Sequence, residues 1–387
     1  MRNWAHPNNT LRLSAMIKND EMAWYTIDGV DQLDTPALVV YVDRVKANIQ
    51  KLTKGIDPSR LRPHVKTHKS MEVTQLLMEA GIHKFKCATI SEAEMLGICM
   101  AKDVLLAYQP IGTKQSRLLA LQQKYPATQF SCLLDNLATA TELSSLAMQN
   151  QMIVPVFIDL NVGMDRTGIW PEKAVSLAQG IAELKGLKLV GLHAYDGHIE
   201  EIDLEKRTQE CLEIYNRVAA LRDALIKMGF KRPTMVMGGS PSFPIYSQLD
   251  DIECSPGTFV YWDENYLKGL PEQDFLPAML VLGRIISMPG PNMLTVDIGH
   301  KSISSEYPLD HRIRFLNAPE LRPISHSEEH MVVSAPHHHS YQVGEVLYGL
   351  PYHVCPTCAL HDYAISITAH HIGKPWKAVA RNRVIEI

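Results

Sequence analysis

Between residues 36 and 254 the chain alternates short apolar, β-branched runs with longer stretches in which apolar positions recur at helical spacing. The short runs are 36–42 (PALVVYV), 61–66 (LRPHVK), 84–89 (KFKCAT), 103–108, 130–134, 153–160, 187–195, 233–238 and 251–254. Helical stretches between them include 43–55, 70–81, 91–101 and the long 200–229, several with Ser or Asp at the N-cap and Gly at the C-cap. Repeated βα units suit a doubly wound sheet or a (β/α)8 barrel, and about eight in a row favour the barrel. Nine runs are one too many, so one outer run belongs elsewhere. After residue 270, strand-like runs follow one another between Pro and Gly with no helical stretch, which predicts a mostly β second domain. The expected division is a barrel over 33–268 and a β domain over 269–387, with residues 1–32 packing on the latter.

Composition narrows the function classes. With 46% hydrophobic and 21% charged residues over 387 positions, the chain reads as a globular enzyme large enough for two domains. The net charge of −4 and the absence of a long Lys/Arg block make nucleic acid an unexpected partner. The first twenty residues lack the order of a signal peptide, and no apolar run reaches the ~18 residues of a membrane span. A cytoplasmic location and no membrane partner are therefore expected. Seven cysteines, an odd number, point to reduced thiols rather than a disulfide framework. Of the 17 histidines, six fall between His326 and His353.

Six runs carry candidate chemistry. In RPHVKTHKS (62–70) an apolar run ends at Lys66, where a barrel strand opens on its active-site face. A partly desolvated lysine there can attack an aldehyde as the neutral amine, although a cation-rich surface turn fits equally, and spacing does not separate Lys66 from Lys69. In NVGMDRTG (161–168) Arg166 leaves a strand bracketed by Gly163 and Gly168, positioned to hold an anion or a ring nitrogen, or simply to sit in a surface loop. In GLHAYDGHIEE (191–201) His193 and Tyr195 alternate onto one face, with His198 beyond. The turns MGGSPSFP (237–244) and CSPGTFVYWD (254–263) expose backbone N–H groups and hydroxyls that can cradle one phosphate; neither is a Walker or dinucleotide fingerprint. In PYHVCPTC (351–358) His353 and Cys355 stand two apart, which in extended backbone puts both on one face as metal ligands, Zn²⁺ ahead of other divalent ions. Cys358 reads as a buried structural thiol. The run His337 to His339 stays without an assigned role.

In this order the runs resemble the D-threonine aldolase and eukaryotic-type D-serine dehydratase family, over about residues 33–380. The resemblance is carried by DTPALVVYVDRVKANI, RPHVKTHKS, the Arg-Thr-Gly of NVGMDRTG, HAYDGH, MGGSPS, CSPGTFVYWD and PYHVCPT. It implies an alanine racemase-type (β/α)8 barrel with the 36–42 strand paired outside it, a homodimer, and pyridoxal 5′-phosphate as cofactor. It further implies that Lys66, not Lys69, bears the cofactor, that Arg166 faces the pyridine nitrogen and Tyr195 the ring, and that Gly239, Ser240, Gly257 and Thr258 hold the phosphate. His198 is taken with Lys66 as catalytic. An Arg at the ring nitrogen weakens the cofactor as an electron sink, and a divalent metal on His353 and Cys355, Zn²⁺ or else Mn²⁺, compensates by polarising a β-hydroxyl. The expected reaction is lyase chemistry on small β-hydroxy-D-amino acids, D-threonine to glycine and acetaldehyde. Alternatives are D-serine dehydration, toward which Cys355 leans, then amino-acid racemisation, then a non-catalytic cofactor carrier.

Overall fold

The structure, a computed structural model, describes residues 23–387. The expectation for residues 1–22 lies outside the described residues. Seven parallel strands follow one another in chain order: β2 (Lys84–Cys87), β3 (Asp103–Leu106), β4 (Gln129–Leu134), β5 (Val154–Leu160), β6 (Leu187–Ala194), β7 (Thr234–Met237) and β8 (Ile252–Cys254). Strand β1 (Ala37–Tyr41) precedes them and lies in another sheet. Helices α1 (Val42–Lys54), α2 (Met71–Glu79), α3 (Ile90–Ile98), α4 (Thr113–Lys124), α5 (Leu137–Gln149), α6 (Ala174–Ala182), α7 (Leu204–Lys227) and the short α8 (Phe243–Tyr246) make the connections and the outer layer. Side-chain N-caps set several starts: Thr89 accepts from Glu92 N, Asn136 from Thr139 N, and Asp203 from Glu205 N and Lys206 N.

The predicted strand 61–66 is not one. Only isolated bridges remain, Leu61 to Cys254 and His64 to Lys86, and Val65–Thr67 turns into a 3-10 helix. Pro63 removes a backbone donor in mid-run, and the His64 ring takes the Lys66 N–H at 3.2 Å, so the chain turns where the pattern predicted extension. The segment still joins the two edges of the sheet: Arg62 N donates to Cys254 O, His64 N to Pro256 O, and Lys86 N to Pro63 O. Below it, the buried Arg62 donates to both carboxylate oxygens of Asp103 at 2.7 and 3.0 Å and to Glu253 at 2.7 Å. The parallel sheet is thereby curled into the barrel form.

The second sheet runs β12-β13-β10-β9-β1-β15-β16, from β9 (Met279–Gly290), β10 (Met293–Val296), β12 (Arg322–His326), β13 (Met331–Ser334), β15 (Tyr363–Thr368) and β16 (His371–Lys377); β11 (Ile313–Phe315) pairs with β14 (Val346–Pro351), which pairs with β9. Strand β1 is parallel to β15 and antiparallel to β9, so it sits outside the barrel as the family resemblance implies. Tyr25 packs on Tyr348, and its carbonyl accepts from the Tyr41 hydroxyl at 2.5 Å, placing the first described residues on this sheet. Contrary to the expectation of strands alone, this half of the chain carries a helix, α10 (Val354–Leu360); α9 (Glu264–Gly269) lies between the two sheets in sequence. Pro356 falls within the first turn of α10, where a backbone donor has no partner to lose. Among the described residues no helix is long and apolar enough to cross a membrane.

Candidate active site

At the C-terminal ends of the barrel strands, a cavity of about 440 Å³ is lined by Lys66, Tyr195, Thr258, Asp263, His353 and Cys355, among others. Residues almost 290 positions apart meet here: Thr67 Oγ1 lies 3.1 Å from Cys355 Sγ, and Thr258 Oγ1 3.7 Å from it. Cys355 is not on an extended strand. His353 is the N-cap of α10 and Cys355 the second residue of that helix, yet both reach the same cavity. Buried Asp263 fixes their backbone, accepting from Val354 N at 3.1 Å while its other oxygen caps α9 through Tyr266 N.

The ionisable groups of this wall act on one another. Burial opposes the Cys355 thiolate, but the His353 ring and Lys66 outweigh it and bring the thiol below its ordinary value. For His353 burial is likewise opposed by Cys355 and by Glu306, whose carboxylate meets Nδ1, and the ring is pushed up to about 9. Burial raises Asp263 to about 6. A thiolate and an imidazole oriented by a carboxylate could offer two donors to a soft divalent ion once the imidazole gives up its proton, although among the described residues no group of three or more His, Cys, Asp or Glu side chains is placed to hold a metal.

Beneath lies a cationic region. Lys66 Nζ is 5.9 Å, Lys86 Nζ 5.5 Å and Arg166 Cζ 5.2 Å from the centroid of the Tyr195 ring. The Arg166 loop is tied down from below: Asp159 accepts from Thr167 Oγ1 at 2.9 Å and Gln109 Nε2 at 2.8 Å, and Asp135 accepts from Gly168 N at 3.2 Å. His193, on the Tyr195 face as alternation predicted, meets Asp159 through Nδ1 at 2.7 Å. Its Nε2 is buried without a hydrogen-bond partner among the described residues. Lys69, the other lysine of the run, is engaged elsewhere, in an ion pair with buried Glu92.

The remaining predicted residues divide. Gly239, Ser240, Gly257 and Thr258 follow β7 and β8; a Cβ on Gly239 would stand 3.3 Å from the Tyr195 ring, and one on Gly257 3.0 Å from His64 O, so a side chain at either position would crowd its neighbour. His198 lies outside the cavity, with its ring against Gly163 in the Arg166 loop. His337 and His339 bond Asn292 and Pro291 O at the surface, away from the cavity. Sequence reading passed over Lys86, Asp159, Asp263 and Glu306. Only Lys86 carried a signal, a lysine alternating with buried Phe85 in a predicted strand.

Two family models match this chain: "Alanine racemase, N-terminal domain" over residues 40–265 and "Putative serine dehydratase domain" over residues 278–367. The chain belongs to the alanine racemase N-terminal domain family. Within this family it is 27% identical to D-threonine aldolase of Arthrobacter sp, across 92% of this chain and 94% of that protein. It is 26% identical to 3-hydroxy-D-aspartate aldolase of Paracoccus denitrificans (strain Pd 1222), across 92% and 95%. The crystal structure of D-threonine aldolase from Filomicrobium marinum superimposes with a TM-score of 0.83 at 26% identity, covering 92% of this chain and 97% of that one.

The alanine racemase-type barrel implies pyridoxal phosphate, and the residues present fit it. Three cationic groups surround one tyrosine ring, two turns leave close room beside their glycines, and the buried His193 Nε2 has no hydrogen-bond partner among the described residues.

Proposed function

We propose that this chain is a pyridoxal phosphate- and divalent metal-dependent lyase that cleaves β-hydroxy-D-amino acids, with D-threonine split to glycine and acetaldehyde. The observation that carries the reading is the single cavity in which Lys66 from the barrel faces His353 and Cys355 from the β domain. A racemase needs no thiolate–imidazole pair there, and a simple carrier needs no β domain.

Bound pyridoxal phosphate supplies the electron sink that weakens bonds at the substrate α-carbon. Lys66 would provide the amine for its aldehyde, Tyr195 and Arg166 would lie beside the ring, and the turns at Gly239–Ser240 and Gly257–Thr258 would hold the phosphate. His353 and Cys355 would hold the metal, Zn²⁺ ahead of Mn²⁺, with Glu306 orienting His353, and such a metal would supply Lewis-acid chemistry toward the β-oxygen. The cavity wall carries Glu200, Glu201 and Asp263, and its one lysine or arginine is Lys66. Such a wall favours an uncharged side chain beyond the β-carbon over a carboxylate. His198, outside the cavity, fits a role in bracing the Arg166 loop. The same reading divides the chain at 268/269 into barrel and β domain and makes the enzyme a cytoplasmic homodimer.

Incubation of the purified protein with D-threonine and D-serine tests this. Glycine plus acetaldehyde from D-threonine is expected; 2-oxobutyrate or pyruvate with ammonia as the main products would favour dehydration instead, and L-enantiomer formation a racemase.

A further inference from the structure

Strand β2 reads Lys84-Phe85-Lys86-Cys87, and alternation sends Phe85 into the core cluster and both lysines to the opposite face. Lys84, at the lower end, pairs with Glu253. Lys86, higher up, is 2% exposed and has no ion-pair partner among the described residues; its Nζ donates to Ser255 Oγ at 2.5 Å. The other deeply buried cations of the barrel differ. Arg62 holds Asp103 and Glu253, and Arg207 holds Glu272. A lysine is almost never fully buried unless paired, because a desolvated charge without a counter-charge is costly to keep. Burial, then Lys66, push Lys86 down to about 7, with Asp196 and Asp159 acting the other way. The proposed reaction has so far given it nothing to do.

Its surroundings define what it meets. Lys86 stands 5.5 Å from the centroid of the Tyr195 ring, beside Lys66 and Arg166, and its partner Ser255 directly follows β8, with Oγ also donating to Gly238 O at 2.8 Å. It therefore lies among the strand ends, below the turns at 239–240 and 257–258 that suit a phosphate. We propose that Lys86, held by Ser255, is a cofactor-anchoring residue whose ammonium donates to the aromatic ring side of bound pyridoxal phosphate, not to its phosphate. The inference rests on the pyridoxal phosphate reading of the site. A pyridine ring with a phenolic oxygen offers lone pairs to such a donor, and the bound cofactor supplies the counter-charge the cofactor-free protein lacks.

The test separates anchoring from a structural role through stability and affinity measured together. In Lys86→Met the cofactor-free protein should melt higher than wild type, since a buried charge is gone. Its Kd for pyridoxal phosphate should rise about 10- to 100-fold, the range of one charge-assisted hydrogen bond. Pyridoxal, which lacks the phosphate, should lose affinity by the same factor. Borohydride reduction of the holoenzyme should still label Lys66, and Lys86→Arg should regain part of the lost affinity. Lowered melting with unchanged Kd would make Lys86 structural, and loss confined to pyridoxal phosphate would move it to the phosphate side. Label on Lys86 would make it the capturing amine. Each of these overturns the proposal. If Lys86→Met fails to fold, Ser255→Ala serves in its place, with weaker binding expected and unchanged binding contradicting. Wild-type protein that binds no pyridoxal phosphate would instead sink the cofactor reading itself.

Discussion

The two walls of the cavity are built for opposite charges. On the barrel side Lys66 lines the cavity, with Lys86 and Arg166 beneath it around Tyr195, and none of the three has an ion-pair partner among the described residues. Opposite them the β domain brings Cys355, His353 and Glu306, and Asp263, from the stretch after β8, fixes the backbone of the first two. A cluster of cations suits an anionic cofactor, and a thiolate beside an imidazole that releases its proton on binding suits a divalent cation. The proposed function therefore needs both domains: the barrel would hold the carbon-activating group and the segment around α10 the Lewis acid.

The sharpest break of this comparison is at Lys66. Lys66→Ala should lower kcat/KM for D-threonine by about 10³-fold or more, the scale of a lost covalent group. It should also abolish the cofactor absorbance band, and borohydride should label Lys66 in the wild type. Label on Lys69 would contradict the assignment, since the ion pair with Glu92 already occupies that side chain.

Next comes Arg62, beneath the barrel wall. Arg62→Ala leaves Asp103 and Glu253 without their shared cation and should cost about 3–5 kcal/mol of stability, read from denaturant midpoints. A cost under about 1 kcal/mol would mean that the 61–64 segment does not need this anchor to close the barrel.

On the opposite wall, Cys355→Ala should reduce turnover about 10- to 100-fold through lost metal affinity while leaving the cofactor absorbance largely intact. Cys358→Ala, which removes a buried thiol packed 3.0 Å from Met279 Sδ, should keep activity and lose only about 1 kcal/mol of stability. Equal loss of activity in both variants would remove the distinction between the two cysteines.

The smallest effect concerns pH. The folded-state value of Asp263 is raised from 3.8 to about 6, so between those values the folded protein binds a proton that the unfolded chain has released. The stabilisation is complete below the unfolded value and is lost as pH rises through about 6. Asp263→Asn should flatten that part of the stability profile. An unchanged slope would show that another group titrates there.

What the sequence made legible follows the range of the interactions. Eight of the nine early apolar runs form strands, because alternation and turn residues act locally. The run ending at Lys66 failed as a strand through Pro63 and the His64 ring, yet Lys66 still reaches the barrel mouth. His353 and Cys355 were legible as a pair, but their backbone was not: α10 is only one to two turns long and carries a proline, too little to show periodicity. The placing of β1 outside the barrel came from family resemblance, since its own residues read like any barrel strand. Lys86 and Asp263 were missed because their meaning depends on burial and on partners such as Ser255 and Val354, roughly 170 and 90 positions away.

In the proposed reading one site joins a cofactor on the barrel wall with a metal on the β-domain wall. The most direct measurement records the cofactor absorbance and the production of glycine from D-threonine on the same sample, before and after exhaustive chelation and again after addition of Zn²⁺ or Mn²⁺. The absorbance should survive chelation, and the activity should be lost and then restored by the metal. Full activity in the chelated enzyme would contradict it.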